Sequence, residues 1–316
     1  MPRTRRRSWR RSRSSRRGTP RSRRRAMAKT REIKRRIRSL QKTKQITKTM
    51  ELVATSRMKR TQQRALAARP YANKLRAILD TVDLGAFAGR FPLLGEREAV
   101  RRVGLLVITS NRGLCGAFNA NVLRAARHAM IDIEQAGAET ELHVVGRKGT
   151  NALRYRGYAI ASSRSDVGDR PTFAQAAEIA GYFLGEFLGE RIDEFRLAYA
   201  SFASLSSQPP VVEKVLPLPA VAGGSAERPV EFLLEPSPER ILETLLPRIV
   251  EHRVYKALLE SAAGEQAARR VAMKNATDNA QELIRILTRS YNRARQAQIT
   301  QEIAEIVGGA GGQESD

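Results

Sequence analysis

Apolar positions along this chain fall into three regimes. From Thr30 to Arg69, Ile33, Ile37, Leu40, Ile46, Met50, Val53 and Met58 recur at mostly three- or four-residue spacing, with no Gly or Pro before Pro70. That period is helical, with Thr30 as N-cap and Glu32 in the first turn, and about 40 residues make about 60 Å of helix. Pro70 bends or ends it, and Tyr71 to Val82 continues helically. The apolar stripe is thin, because Thr43, Thr47, Thr49, Thr55 and Ser56 stand where a packed helix carries larger hydrophobes. A solvated face on a structural coiled coil fits this pattern, and so does a face that slides against or docks onto acidic partners.

The second regime, roughly 98 to 235, alternates strands and helices. Arg101 to Thr109 is a β-rich apolar run, followed by a Gly-containing loop, Ser110 to Gly116, and a helix from Asn119 to Gln135. Strands follow at Glu141 to Val145, Tyr158 to Ala161, Glu194 to Ser201, Val211 to Leu218 and Val230 to Leu234, with helices at Lys148 to Arg154 and Thr172 to Leu188. This order implies a largely parallel sheet flanked by helices, with a late antiparallel portion.

From Pro238 the third regime is helical again, through Leu245, Ile249, Leu258, Val271, Leu283, Leu287 and Ile303, and it ends in Gly308, Gly309, Ala310, Gly311 and Gly312. Pro247 and Gly264 are points where a kink is expected if anywhere. The tract Ala276, Ala280, Leu283, Leu287, Ser290, Ala294, Ala297, Gln301, Ala304 keeps small residues at helical spacing, which lets a partner helix approach closely. The whole segment would extend for about 100 Å. Neither terminal helix has a local partner, so the two are expected to pair into an antiparallel rod that carries the α/β domain between them.

Charge sharpens this division. Of the net +25, residues 1–26 supply +13 from 13 Arg and no acidic residue, and Lys29 to Arg64 supplies +11, so the rest is close to neutral. The Arg/Ser segment has Trp9 as its sizeable hydrophobe and is read as disordered. A start placed ahead of the true Met27, a solvated tail with affinity for polyanions, and an organelle transit peptide all remain open readings, the last weakened by the lack of an apolar face. Cys115, the sole cysteine, cannot form an intramolecular disulfide, and with three scattered histidines it makes no metal cage.

A phosphate-binding enzyme is the reading that SNRGLCGAFN invites, because the segment leaves a strand and opens a helix. It matches neither GxGxxG nor GxxxxGK[ST], and GRKG at Gly146 to Gly149 is only a basic turn. Cys115 as a nucleophile would need His128 or His143 as base, and no sequence element joins them. A nucleic-acid-binding protein is the other alternative, suggested by the basic segments, although the basic helix lacks interleaved aromatics.

Four blocks then carry a resemblance: AKTREIKRRIRSLQKTKQITKTMELVATSRMKR, ITSNRGLCGAFNANV, EQAARRVAMKNATDNAQELI and YNRARQAQITQEIAEIVGGA. They are similar to the γ subunits of F-type ATP synthases, over essentially Met27 to Gly312. The resemblance implies a non-catalytic central-stalk rotor without cofactor or metal. One copy turns inside an α3β3 hexamer, beside an ε subunit and on a ring of c subunits, and couples proton flow to ATP synthesis on the cytoplasmic side of a bacterial plasma membrane. It further implies a partition into the extension 1–26, an N-terminal coiled-coil helix 27–84, a Rossmann-like α/β domain 85–237 with a mainly parallel sheet, a C-terminal coiled-coil helix 238–307 and a tail 308–316. By the same resemblance Met50, Arg269, Gln296 and Thr300, with the basic Lys34, Arg35 and Arg36, contact the β subunits, and Ser206, Ser207, Gln208 and Pro209 lie at the c ring. Arg270 stands where many relatives have Met, and Asn111 where many have Asp.

Overall fold

The computed structural model describes residues 20–81, 84–87, 89–219 and 237–310. Its elements are α1 (Pro20–Thr81), α2 (Leu84–Phe87), β1 (Arg102–Ile108), α3 (Phe118–Gln135), β2 (Glu139–Val145), α4 (Arg147–Tyr155), β3 (Ser162–Arg164), α5 (Phe173–Leu188), β4 (Glu194–Ala200), β5 (Pro210–Leu216) and α6 (Pro238–Ala310). They form two compact units, Met1–Ile46 with Thr277–Asp316, and Thr47–Ala276.

In the first unit α1 and α6 lie together. Half-buried positions on α1 are Thr30, Ile33, Ile37, Leu40 and Lys44; those covered on α6 are Thr277, Ala280, Ile284, Leu287, Tyr291, Ala294 and Gln298. Both sets advance by three and four in strict seven-residue repeats, the pattern that keeps one stripe facing a partner helix in a left-handed supercoil. Lys44 Nζ donates to Gln281 Oε1. Lys44 is near the C-terminal limit of the α1 portion and Gln281 near the N-terminal limit of the α6 portion, so the helices run antiparallel.

The narrow stripe corrects the apolar face read from sequence. Ile46 is 60% exposed, as is Leu52, and Val53 is outward too, while Thr47, Ala54, Met58 and Thr61 are buried. On α6, Leu283 and Ile286 are exposed, and Ser290, Ala297 and Ala304 face outward with them. Leu283, Ile286, Ser290 and Ala297 each lie one residue from a covered position, and one residue turns a helix side chain by about 100°. The helix also starts earlier than expected. Pro20 is its first residue, a position where a missing N–H costs nothing, so Thr30 is interior and residues 20–26 are helical instead of structureless. Residues 1–19 of that segment, and the strand expected at Val230 to Leu234, lie outside the described residues. α1 passes through Pro70, and α6 through Pro247 and Gly264, without interruption.

The second unit is built on a five-stranded sheet of order β3-β2-β1-β4-β5. β1 pairs parallel with β2 and β4, β2 parallel with β3, and β4 antiparallel with β5. The helical crossovers explain the parallel pairs, and the short 201–209 connection permits only an antiparallel one. β3 begins at Ser162, later than the expected Tyr158, because the chain first turns at Gly157 with φ 83°.

Both faces of the sheet are covered. Leu106 and Ile108 of β1 join Ile179, Phe183 and Phe187 of α5 and Leu242, Leu246, Val250, Val254 and Leu258 of α6. Leu105 and Val107 join Val122, Leu123, Ala126 and Met130 of α3 and Leu153 of α4. This accounts for the unalternating apolar run of β1, since a parallel strand covered by helices on both sides has no solvent face. α5 starts with a capping box in which Thr172 and Gln175 satisfy each other's backbone N–H.

Phe183 is 2% exposed and stacks on Phe195, with centroids 3.9 Å apart. Phe183→Ala is expected to cost about 3–5 kcal/mol in urea unfolding of the purified chain. His252 on α6 packs against Phe173 and Tyr255, and burial holds its imidazole below its ordinary value. The unfolded chain therefore takes up this proton first. Stability present above about pH 6.5 is lost as pH falls through the folded value, so His252→Gln should lose less stability than the parent between about pH 7.5 and about pH 5.5.

Candidate functional site

The parallel strands end at a set of loops tied by side chains. Thr109 Oγ1 donates to the Val145 carbonyl at 2.9 Å and accepts from Gly149 N–H at 3.0 Å. Gly146 sits against it at φ 103°, where an added Cβ would fall 2.2 Å from the Thr109 carbonyl oxygen, so the basic turn GRKG serves close backbone approach. Asn111 staples three loops: its Nδ2 donates to the carbonyls of Ser165 and Val167 at 3.0 and 2.9 Å, and its Oδ1 accepts from Arg147 N–H at 3.1 Å. An Asp there would accept but could not donate, which gives the Asn a physical reason.

Cys115 is buried, and Asn119 Nδ2 donates to its Sγ at 3.2 Å. Ser110 Oγ and the Arg112 carbonyl are its other polar neighbours, so no imidazole addresses it. His143 is occupied elsewhere, between Ser162 Oγ at 2.7 Å and Glu141 Oε1 at 2.9 Å. This geometry gives Cys115 a packing role in the loop.

In an open α/β sheet a ligand binds beyond the carboxyl ends of the strands. Beyond the ends of β1 and β2 that space is filled by the chain itself. Leu258, Ser261, Ala262 and Glu265 of α6 close over Ile108, Thr109, Asn111, Val145 and Val167–Asp169, leaving a cavity of about 20 Å³, room for about one water.

Around it α6 is fastened by polar contacts. Arg269 donates to Glu265 Oε1 at 2.7 Å and to the Gly113 carbonyl at 3.2 Å. Burial raises the Glu265 carboxyl above its ordinary value, and Arg269 opposes that shift. Asp169 accepts from Gln266 Nε2 at 3.2 Å and from Arg57 of α1.

The expected contact residues differ in exposure. Arg269 is 7% exposed, with its guanidinium bonded to the 112–113 loop and Glu265. Lys34, Arg35, Arg36, Gln296 and Thr300 are exposed and Met50 is half-buried, with Arg36 reaching Glu32 at 2.6 Å. Ser206, Ser207 and Pro209 are exposed and Gln208 half-buried, in the loop between β4 and β5. They line a groove of about 450 Å³ together with Cys115–Phe118 and with Ala268, Val271, Ala272 and Asn275 of α6. Sequence reading missed Asp169 and Gln266, which no period or motif marks, while the Glu265–Arg269 pair was available from its i,i+4 spacing.

Replacing Arg269 by Ala strands a buried carboxylate and should cost about 3–5 kcal/mol. Arg269→Met with Glu265→Leu should lie nearer the parent, as thermal unfolding of both variants would establish.

Comparison with known proteins agrees with this architecture. The family model described as ATP synthase matches residues 29–312. The ATP synthase gamma chain of Gemmatimonas aurantiaca is 52% identical over 285 residues, covering 90% of this chain and 98% of that protein. The gamma chain of Pelotomaculum thermopropionicum is 43% identical over 284 residues, covering 90% and 99%. Among solved structures, a chain from the central stalk and c-ring of the Tetrahymena thermophila mitochondrial ATP synthase superposes with TM-score 0.55 at 27% identity, covering 73% of this chain and 99% of that one. A chain of the Euglena gracilis mitochondrial enzyme shares the fold, with TM-score 0.64 at 20% identity over 91% of this chain and 95% of that one. With its terminal helices paired, its sheet crevice closed by α6 and its sequence matched across nearly its whole length, the chain belongs to the ATP synthase family, among the gamma chains.

Proposed function

We propose that this chain is the central-stalk rotor of an F1Fo ATP synthase and contributes no catalytic group. The observation that supports the second half is the seating of α6, which packs over the carboxyl ends of β1 and β2 and leaves about 20 Å³ there. Bond making and breaking then belong to the α and β subunits, one copy of this chain turning within their α3β3 hexamer. An ε subunit and the c ring are its partners at the α/β domain, with Ser206, Ser207, Gln208 and Pro209 toward the ring. The chain is peripheral on the cytoplasmic side of a bacterial plasma membrane, and among the described residues no helix is long and apolar enough to cross one.

Its mechanism is differential contact. A rotor whose faces differ meets each catalytic subunit with different side chains, and a conformational equilibrium shifts only by the difference in interaction between states. α6 presents Leu283, Ile286, Ile299, Ile303, Ile306 and Val307 outward, apolar surface that calls for a protein neighbour. α1 presents Lys34, Arg35 and Arg36. Met50, Gln296 and Thr300 complete the proposed contacts with the β subunits. Exposed ion pairs of about 0.2–1 kcal/mol each attract acidic loops without locking rotation.

Co-purification of this chain with α and β subunits at one copy per hexamer tests the assignment. Reversing Lys34, Arg35 and Arg36 together to Glu should leave assembly intact and lower proton-driven ATP synthesis in membrane vesicles by roughly threefold or more, relative to uncoupled hydrolysis. Unchanged synthesis would remove these side chains from the contact.

A further inference from the structure

The two long helices are held to the α/β domain by different chemistry. α6 is welded into the apolar core through Leu242, Leu246, Val250, Val254 and Leu258, whereas among the described residues the three core clusters draw on no residue of α1. α1 buries Ala54, Met58 and Leu75 outside those clusters, and it reaches the loop before α5 through Arg57, whose guanidinium pairs with Asp169. Arg57 stands on the covered face of α1, between the buried Ala54, Met58 and Thr61.

Asp169 is itself well anchored. Asn111 holds the carbonyls of Ser165 and Val167 just before it, and the capping box at Thr172 fixes the chain just after it. Its second oxygen accepts from Gln266 of α6. One carboxylate thus joins α1, α6 and the loops at the carboxyl end of the sheet.

We infer that Asp169 is a positioning residue, a torsional pin through which twist passes between the α/β domain and α1; this rests on the rotor reading. Neither Asp169 nor Arg57 belongs to the surface proposed to touch the β subunits. If the pin is lost, α6 stays fixed to the sheet by apolar burial while α1 yields sideways, so rotation driven at one end reaches the other incompletely. The complex would still assemble and hydrolyse ATP but would pump fewer protons per ATP.

The test uses the assembled complex in membrane vesicles, carrying Asp169→Asn, Arg57→Gln, both together, or the exchange Arg57→Asp with Asp169→Arg. ATP-driven pumping per ATP hydrolysed is expected to fall about two- to fivefold in each single variant, the range that one partly exposed ion pair allows. The fall should not deepen in the double variant, because both changes break one interaction, and the exchange should recover part of it. Pumping at the parent ratio in both single variants overturns the inference, as does additive loss in the double. So does an equal fall in hydrolysis and pumping, or in assembled yield, which marks a merely structural role. Arg57→Lys, which keeps the charge, should assemble and retain more coupling than Arg57→Gln; equal loss in the two also counts against the pin. Failure of the rotor reading looks different: the parent chain would not co-purify with α and β subunits, or the parent vesicles would not pump.

Discussion

Complete enclosure of one stretch of α6 governs the second unit. From Ala257 to Ala267 its residues are buried on nearly every side, Glu260 alone being half-exposed. A helix so enclosed must be small in cross-section, and Ala262, Ala263, Gly264 and Ala267 meet that requirement. Its polar side chains must also be matched, since a buried group without a partner costs more than its bond returns. Glu265 is answered by Arg269, Gln266 by Asp169, and Glu260 by Ser201 Oγ at 2.8 Å. The closed crevice, the capped 112–113 carbonyls and the placement of Asp169 all follow from seating this helix.

Much of this was legible in the sequence, and the failures have a common cause. Strands and helices of the α/β portion are set by local period and punctuation, so β1, α3, β2, α5 and β4 fall within a residue or two of their expected bounds. Where local pattern had to be converted into a direction in space, reading was less secure. Leu283 and Ile284 are adjacent and both apolar, and only the partner helix decides that Ile284 faces inward. Ile46 and Val53 keep helical spacing with the apolar stripe, yet both face outward. The covered positions beside them are Thr47 and Ala54, chosen because small side chains let the backbone come close.

Polar ties were the least legible of all. Asp169 lies in a loop, 112 residues from Arg57 and 97 from Gln266. Nothing in the composition of the loop distinguishes it from an ordinary solvated carboxylate. Arg269 shows what spacing can reveal: a guanidinium four residues from a buried glutamate bonds that glutamate, because the carboxylate would otherwise be stranded in a medium that penalises its charge.

The chemical difference between the two long helices therefore has a structural meaning. Fully burying a Leu or Val side chain contributes about 1.5–3 kcal/mol, and α6 contributes five of them to the core facing the sheet at Leu242, Leu246, Val250, Val254 and Leu258. A partly exposed ion pair such as Arg57–Asp169 contributes about 0.2–1 kcal/mol. α6 is thus inseparable from the sheet, while α1, which places no residue in the clusters packed on the sheet, reaches the loop before α5 through a directional contact. The Thr-rich covered face of α1 suits such an attachment: it limits apolar burial, which is strong but indifferent to angle, to a few positions such as Ala54, Met58 and Leu75, and adds polar contacts that fix an angle at small energetic cost. A helix pair in which one member is welded and the other pinned resists being pulled apart mainly through the first, and resists being twisted only as far as the second holds.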